Sequence, residues 1–272
     1  MARFLYQDAP IHQMANLTSL IGNHKKKQFK IIIVPDENKA RQWVEASHFF
    51  GEKVQYIPAK DPLFYTADVH GNAIARDRML AIKKIVDDKC GTFVMTIDAV
   101  MDQVVPLSDI KNHKMTFKMG EILEEATIAE EFVARGYEKA PFVEAPGEFA
   151  VRGGIIDIFP YTQESPYRIE LWGDEIDSIR SFDAQSQRSL ENLDDVTIYP
   201  AAEQPMEKNG VSFLDYFKET ETLFFLDELN HLEENAKAVQ EEFQQSCENR
   251  KEKGEISLSG DWMCTWRNCV IR

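Results

Sequence analysis

The segment YRIELW carries two side chains of the kinds that dominate protein-binding surfaces, Arg168 and Trp172. In an extended strand, Ile169 and Leu171 point to one side, while Arg168, Glu170 and Trp172 point to the other. The first side is typical of a core-packed face. Arginine and tryptophan on the second side are enriched at interface hot spots, so the pattern favours a protein-binding surface. The alternative is a solvated arginine beside a tryptophan that is half-buried under a neighbouring loop.

The residues around this segment predict an antiparallel sheet. β-branched and aromatic residues alternate with polar ones between prolines and glycines, which predicts three strands and two tight connections. The strands are Glu148–Phe159, Tyr167–Trp172 and Asp177–Phe182, and the connections are Pro160–Pro166 and Gly173-Asp174. Gly153-Gly154 interrupts the alternation of the first strand. We expect a β-bulge there that turns Arg152 outward.

The other candidates for catalytic or metal chemistry are weak. Asp174 and Glu175 are adjacent acids, but they fall in the expected hairpin turn and we assign them to turn chemistry. The histidines are scattered singly and the cysteines lack C-x-x-C spacing, so we expect free thiols and no metal. The sequence contains no Gly-Lys-Ser or Gly-Lys-Thr, which a P-loop needs to hold phosphates. We therefore expect no cofactor.

The composition is that of a folded globular protein with an acidic surface. The chain has 272 residues, 43% of them hydrophobic, and a formal net charge of −15. This charge works against non-specific duplex binding, and we interpret Lys25-Lys26-Lys27 as a solvated loop. The sequence has no apolar run of membrane-spanning length and no signal-peptide pattern. We expect a soluble, cytoplasmic protein with no membrane partner and little direct nucleic-acid binding.

Strands and helices alternate through the first hundred residues, which predicts a parallel sheet with flanking helices. The expected strands are Phe29–Val34, Val54–Pro58 and Thr92–Ile97, and the expected helices are Ala15–Ile21, Asp36–Phe50, Asn72–Asp88 and Asp98–Val105. Asp36 is the expected N-cap of the second helix, and Gly51 is its expected C-cap.

An α+β pattern follows. A strand at Lys114–Lys118 precedes a helix at Glu121–Arg135, whose apolar side should cover one face of the antiparallel sheet and leave the other to a partner. That side carries Leu123, Ile128, Phe132 and Val133. We therefore expect residues 1–113 to begin an α/β domain, residues 114–205 to form an inserted α+β domain, and residues 206–272 to complete the first domain.

Long, ordered segments resemble the second domain of the bacterial transcription-repair coupling factors (Mfd), a domain that this family shares with the excision-repair helicase UvrB. The resemblance is carried by FAVRGGIIDIFP, RIELWGDEIDSIRSFD and TIYPAAE, and it extends back through APGEF, FVARGY, DPLFYTADVHGNAIARDRML and KIIIVPDENKA. It implies a degenerate P-loop, helicase-like α/β domain that carries an inserted α+β domain.

The resemblance also implies a function. The family's module is non-catalytic and recruits the nucleotide-excision-repair protein UvrA to stalled transcription complexes. Its UvrA-contacting positions fall on Arg152, Arg168 and Trp172, the last being a position where Phe also occurs. The full-length family protein is an ATP-dependent DNA translocase that also binds RNA polymerase and DNA, and its C-terminal domain masks the UvrA-binding surface. None of those parts occurs here, so we expect a fragment or a truncated form.

Two segments near the end of the chain need separate interpretation. The segment Thr222–Leu226, followed by Asp227 and Glu228, resembles the Walker B strand of helicases, whose two acids hold Mg²⁺ and activate water. Without a phosphate-binding loop, we interpret this pair as a relic. The chain also passes from Pro200 to Ser212 without the helical insertion that the family carries there.

Two other functions stay open at this point. A UvrB-type ATP-dependent DNA helicase would need the phosphate-binding loop, a long aromatic hairpin and a second motor domain. The loop Asp61–His70 is too short for that hairpin, and we expect its Phe64 and Tyr65 to pack in the core or in a lid. A structural spacer would leave the sheet without a partner. The last segment, Ile256–Arg272, is expected to form a closing or edge strand.

Overall fold

The computed structural model describes residues 10–20, 28–60, 69–201, 203, 210–217 and 222–252. Backbone contacts divide the chain into two compact units. Unit 1 comprises Met1–Tyr65, Lys84–Val104 and Gly210–Arg272, and unit 2 comprises Thr66–Lys83 and Val105–Asn209. The domain boundaries expected from the sequence, at residues 114 and 206, remain predictions.

Helices and strands are numbered in chain order. The helices are α1 (Ile11–Leu20), α2 (Glu37–Phe49), α3 (Val69–Asp87), α4 (Ile97–Met101), α5 (Leu107–Asn112), α6 (Glu125–Ala134) and α7 (Leu229–Glu252), with a 3₁₀ helix at Phe213–Phe217. The strands are β1 (Phe29–Val34), β2 (Val54–Ile57), β3 (Gly91–Thr96), β4 (Gln103–Val104), β5 (Met115–Lys118), β6 (Glu138–Lys139), β7 (Glu148–Arg152), β8 (Ile155–Ile158), β9 (Tyr167–Trp172), β10 (Glu175–Phe182), β11 (Ser189–Asn192), β12 (Asp195–Ile198), β13 (Val211–Ser212) and β14 (Thr222–Leu226).

Unit 1 is built on a four-stranded parallel sheet with the strand order β14-β1-β3-β2. Strand β1 is buried along its whole length, which is why its sequence FKIIIV is almost continuously apolar instead of alternating. Ala15 of α1 and Ala40 and Trp43 of α2 pack against the core residues of this sheet. The predicted mixed α/β class with a parallel sheet is therefore confirmed.

Helix α2 begins at the residue that the sequence predicts. The backbone of Asp36 is extended, and its Oδ1 accepts a hydrogen bond from the backbone N–H of Lys39 at 2.9 Å. This bond satisfies one of the four N–H groups that the start of a helix leaves without an internal partner. The expected C-cap, Gly51, is instead the residue after the C-cap Phe50, and its φ of +75° is one that glycine adopts without steric cost.

Unit 2 contains a six-stranded sheet with the strand order β11-β10-β9-β8-β7-β6. Its neighbouring strands are antiparallel except for β6 and β7, which are parallel. Helix α6 buries Ile128 and Phe132 in one core with Phe149, Ile156 and Ile169 of the sheet, and the two-stranded β5–β12 sheet contributes to the same core. The predicted antiparallel sheet with a helix on one face is confirmed.

Helix α6 is shorter than the sequence predicts. It begins at Glu125 rather than Glu121, because Glu121 and Ile122 run beside the start of β10 and make backbone contacts there. Leu123 packs against the core as expected. The placement of Val133 on the buried side was wrong, since this residue is 57% exposed.

The predicted single strand Glu148–Phe159 was also wrong. Strands β7 and β8 are separate, and Arg152 pairs directly with Ile155 across a two-residue turn. The turn residues Gly153 and Gly154 have φ of +54° and +83°. Two successive residues with positive φ form the tight turn of a hairpin, whose twist matches that of the flanking strands, so the chain reverses here instead of bulging.

Several expectations fall outside the described residues. These are the lysine run Lys25-Lys26-Lys27, the aromatic pair Phe64 and Tyr65, and the last segment, Ile256–Arg272. Among the helices that the structure describes, none combines the length and the apolar character needed to cross a membrane. The same part of the chain contains no group of His, Cys, Asp and Glu side chains that could hold a metal ion.

A buried ion pair links two distant segments of unit 2. Nη2 of Arg78 in α3 lies 3.0 Å from Oε2 of Glu203, and Nε of Arg78 lies 3.1 Å from the same oxygen. The two side chains are only 3% and 4% exposed. Removing one partner of a buried pair takes away a charge that offsets the other group's loss of water.

We expect Glu203→Ala to lower the free energy of unfolding by about 3–5 kcal/mol, because the Arg78 guanidinium would lose its buried counter-charge. Urea unfolding of parent and variant measures the difference. The matched control is Glu37→Ala, which breaks the Arg41–Glu37 pair, whose side chains are 72% and 62% exposed. That change should cost less than about 0.5 kcal/mol. Equal losses in the two variants would contradict the prediction.

Candidate protein-binding surface

One face of the large sheet points away from α6. Across the register, directly opposite residues share a face, and neighbours along a strand alternate. We call this surface the open face, and it consists of Arg152, Ile155, Asp157, Arg168, Glu170, Trp172 and Arg180. A small second core partly covers the same side of the sheet beside it, and this core contains Val143, Ala150, Phe159 and Phe182.

A single carboxylate joins the two arginines that the sequence singled out. Asp157 Oδ1 lies 2.6 Å from Arg168 Nε, and Oδ2 lies 2.9 Å from Arg168 Nη2, so Arg168 binds Asp157 through two parallel hydrogen bonds. Asp157 Oδ2 also accepts from Arg152 Nη2 at 2.7 Å. The Asp157 side chain is 1% exposed. A fully buried acid therefore fixes both guanidinium groups on the open face.

Arg168 is held from three sides. Its Nη2 donates to Gln187 Oε1 at 2.8 Å, in addition to its bond to Asp157. Its guanidinium lies 4.4 Å from the centroid of the Phe182 ring, a cation–π distance. The hydrogen bond to Asp157 raises the pKa of Arg168 above its ordinary value. Among the described residues Nη1 has no hydrogen-bond partner, so Arg168 keeps one NH₂ group for another acceptor.

Arg152 is more accessible than Arg168. Its side chain is 37% exposed, against 15% for Arg168. Its guanidinium lies 4.6 Å from the ring centroid of Phe142, which is itself 57% exposed. Arg152 lies on the open face, as expected, although it is the last residue before a hairpin turn rather than part of a bulge.

A second ion pair lies beside the first. Glu170 binds Arg180 across β9 and β10, with Arg180 Nη1 lying 3.0 Å from Oε2, and it also accepts from the Ser178 hydroxyl at 2.8 Å. Burial alone would raise the pKa of Glu170, but the hydrogen bonds from Arg180 and Ser178 outweigh burial and hold it below its ordinary value. The central part of the open face is thus a set of paired charges.

Trp172 stands apart from the two arginines. It is the last residue of β9, four residues beyond Arg168, which corresponds to about 13 Å along an extended strand. Its side chain is 83% exposed, so the alternative of a half-buried tryptophan is wrong. It lines a shallow groove together with Met119, Gly120, Glu175, Ile176 and Asp177. Arg152 and Arg168 are brought together by Asp157, whereas Trp172 belongs to the hairpin end of the same face.

Asp157 is the residue that sequence reasoning missed. A signal was present, because IIDIF places one acid among apolar residues in a strand, and an acid buried there needs a cationic partner. Gln187 and Phe182 carried no comparable signal. Phe182 is the last residue of β10 and Gln187 lies in the loop after it, and only the folded chain brings them close to Arg168.

The acid pair of unit 1 lies elsewhere, directly after β14. Asp227 Oδ2 accepts a hydrogen bond from Trp43 Nε1 at 2.6 Å, and Glu228 Oε1 accepts from Lys39 Nζ at 2.6 Å. His231 Nδ1 lies 2.6 Å from Glu228 Oε2. Burial raises the pKa of Asp227, while hydrogen bonds from Lys39 and His231 lower that of Glu228. Both acids thus already have partners within unit 1.

The lowered pKa of Glu170 predicts how unit 2 responds to acid. A carboxylate with a depressed folded-state pKa stabilises the fold above its unfolded pKa, and that stabilisation is lost as pH falls through the folded pKa. Glu170→Gln should therefore be less stable than the parent at neutral pH. The difference should begin to shrink as pH falls below the unfolded value, near 4.5, and should disappear as pH falls through the folded value.

Denaturant unfolding at a series of pH values and low salt measures this difference. Glu164→Gln is the control for the substitution itself, because Glu164 is exposed and has no ion pair among the described residues. A stability difference for Glu170→Gln that stays constant across the acid range would contradict the prediction.

Comparisons with known proteins relate the region that contains this surface to a described family. The family model of the UvrB interaction domain matches residues 115–203, which include the whole open face. Three similar proteins are each named transcription-repair-coupling factor. The relative from Bacillus subtilis (strain 168) is 40% identical over 134 residues, which cover 48% of this chain and 11% of the relative. The one from Escherichia coli (strain K12) is 30% identical over 182 residues, or 66% of this chain and 16% of the relative.

The third relative, from Staphylococcus aureus (strain MRSA252), is 32% identical over 163 residues, which cover 60% of this chain and 14% of the relative. The matched part therefore spans between 11% and 16% of the length of these three relatives. These findings relate the chain to the N-terminal, UvrB-like module of the transcription-repair-coupling factors, with a UvrB interaction domain at residues 115–203.

Proposed function

We propose that this chain is a non-catalytic docking module that binds UvrA through the open face. The observation that carries the proposal is the arrangement of Arg152 and Arg168 around Asp157, in a region that matches the UvrB interaction domain. Two arginines with unused N–H donors can bind carboxylates or carbonyl oxygens of a partner. Trp172 adds apolar area at the other end of the face.

Asp157 makes the two arginines effective binding groups. A long side chain that is mobile in the free protein loses rotamer entropy when a partner immobilises it, at a cost of about 0.5–1.5 kcal/mol. Hydrogen bonds to Asp157 and the rings of Phe142 and Phe182 already hold these two guanidinium groups before any partner arrives. Binding therefore loses less entropy than it would with two free arginines.

We further propose that Asp227 and Glu228 are the remains of a nucleotide site in a degenerate helicase-like domain. In an active site of this kind the two acids would face Mg²⁺ and a water molecule. Here Trp43, Lys39 and His231 are the partners of these acids instead. The pair serves the packing of α2 against the start of α7.

The proposal also covers the role that this chain would have within a longer protein. If the chain acts within a transcription-repair-coupling factor, its docking of UvrA recruits the repair machinery to a stalled transcription complex. RNA polymerase, DNA and the C-terminal domain that would mask the open face are partners of the longer protein. A spacer without partners is the alternative.

The proposal predicts that this chain binds UvrA and that Arg168→Ala and Trp172→Ala weaken the binding. Hot-spot residues cost about 1–4 kcal/mol each when truncated, so each variant should bind roughly five-fold to several hundred-fold more weakly. Calorimetric titration measures the affinity, and circular dichroism verifies the fold. The control is Arg41→Ala, an exposed arginine outside residues 115–203. A folded parent that does not bind UvrA would leave the spacer alternative.

The second proposal predicts that ATP with Mg²⁺ at millimolar concentration gives no saturable heat with this chain. Lys39 neutralises part of the acid pair, and the sequence lacks the loop that would hold the phosphates. UvrB, titrated under the same conditions, is the positive control. Saturable binding that is lost in Asp227→Asn would instead favour the helicase alternative.

A further inference from the structure

The sheet continues beyond β10 at the end that carries Trp172. The backbone N–H of Ile176 donates to Glu121 O at 2.9 Å, and the N–H of Leu123 donates to Asp174 O at 2.7 Å. Ile122 and Glu175 form an antiparallel bridge. The segment before α6 therefore acts as one more short strand, on the side of β10 opposite to β9.

This extra pairing places three side chains in one row. Trp172 is directly opposite Glu175, and Glu175 is directly opposite Ile122. Residues that are directly opposite in antiparallel strands point to the same face of the sheet. The row therefore belongs to the side of the sheet that carries the open face. Trp172 is 83% exposed and Ile122 is 74% exposed, with Glu175 between them.

The charges around this row are unlike those around Arg168. Asp174, Glu175 and Asp177 are exposed, and within the part of the chain that the structure describes none of them forms an ion pair. By contrast, the carboxylates of Asp157 and Glu170 are both bound to arginines. The hairpin end of the sheet thus combines two large exposed apolar side chains with three acids that have no cation.

We propose that Trp172, Glu175 and Ile122 form a second part of the UvrA-docking surface, which receives an apolar side chain of the partner flanked by a lysine or arginine. The inference rests on the proposed function and adds to it two contact residues and the chemistry of the segment that they bind. The apolar side chain lies between Trp172 and Ile122, and the basic group pairs with Glu175. The arginine end of the open face binds acceptors of the same partner.

Two observations favour this occupant. Single exposed apolar residues are normal on protein surfaces, but two in one row next to a groove form a patch of the kind found at interaction sites. The unpaired acids favour a partner with positive charge, because a nucleic acid or an anionic surface would be repelled there. The row also continues the open face, because along β9 only Glu170 lies between Arg168 and Trp172 on that face.

The test is a calorimetric titration of UvrA with the parent chain and four variants. Arg168→Ala reports on the proposed function alone. Ile122→Ala and Glu175→Lys report on the second part of the surface, and both positions are exposed, so neither change disturbs the core. Val133→Ala is the matched control, since Val133 is 57% exposed but lies on α6, on the other side of the sheet.

We expect Ile122→Ala to weaken binding by about five-fold or more and Glu175→Lys by about ten-fold, with the Glu175 effect shrinking at high salt. Val133→Ala should bind like the parent. If Arg168→Ala weakens binding while Ile122→Ala and Glu175→Lys do not, the inference is overturned and the proposed function stands. If the folded parent does not bind UvrA at all, both are overturned.

Discussion

The buried carboxylate of Asp157 is the constraint on which the open face depends. A carboxylate that is 1% exposed needs partners within the fold, because moving a charged group out of water costs several kcal/mol. Arg152 and Arg168 supply those partners, so their positions follow from the needs of the acid. Phe142, Phe182 and Gln187 then pack around the two guanidinium groups. The need of the Asp157 carboxylate for cationic partners therefore fixes two arginine side chains that would otherwise be mobile.

The same sheet forms an apolar core on one face and carries charged residues on the other, because successive side chains along each strand point to opposite faces. One face carries the apolar residues that bury α6 and form the main core, and this packing supplies the stability of unit 2. The other face is then available for charges. Removing Ile169 would damage the fold, whereas truncating Trp172 or Ile122 removes no core contact. Trp172 and Ile122 can therefore change without loss of the scaffold, whereas Arg152 and Arg168 also serve the fold as partners of Asp157.

Local patterns in the sequence predicted the parts of the structure that depend on neighbouring residues. The phase of β9, the cap at Asp36 and the hairpin at Gly173-Asp174 follow from side-chain types within a few positions, and the structure agrees with each. The wrong predictions concern places where contacts with distant segments of the chain determine the local structure. Gly153-Gly154 fits a bulge or a turn, and pairing with β9 selects the turn. Val133 fits the apolar pattern of α6, but the helix begins late and its buried stripe is narrow.

The pairing of charges distinguishes the arginines proposed to bind a partner from the acid pair of unit 1. Asp227 and Glu228 look like a catalytic pair in the sequence, but Asp227 already accepts a hydrogen bond from Trp43 and Glu228 already accepts one from Lys39. Recruiting them for a ligand would first break these bonds and leave the freed groups without partners, which costs about as much as the new contact would gain. Arg168 satisfies its buried acid with one edge of its guanidinium and keeps Nη1 for a partner, so binding breaks nothing. The proposed function therefore uses the hydrogen-bonding capacity that remains after the fold has been satisfied, and a sequence motif alone does not show which side chains keep that capacity.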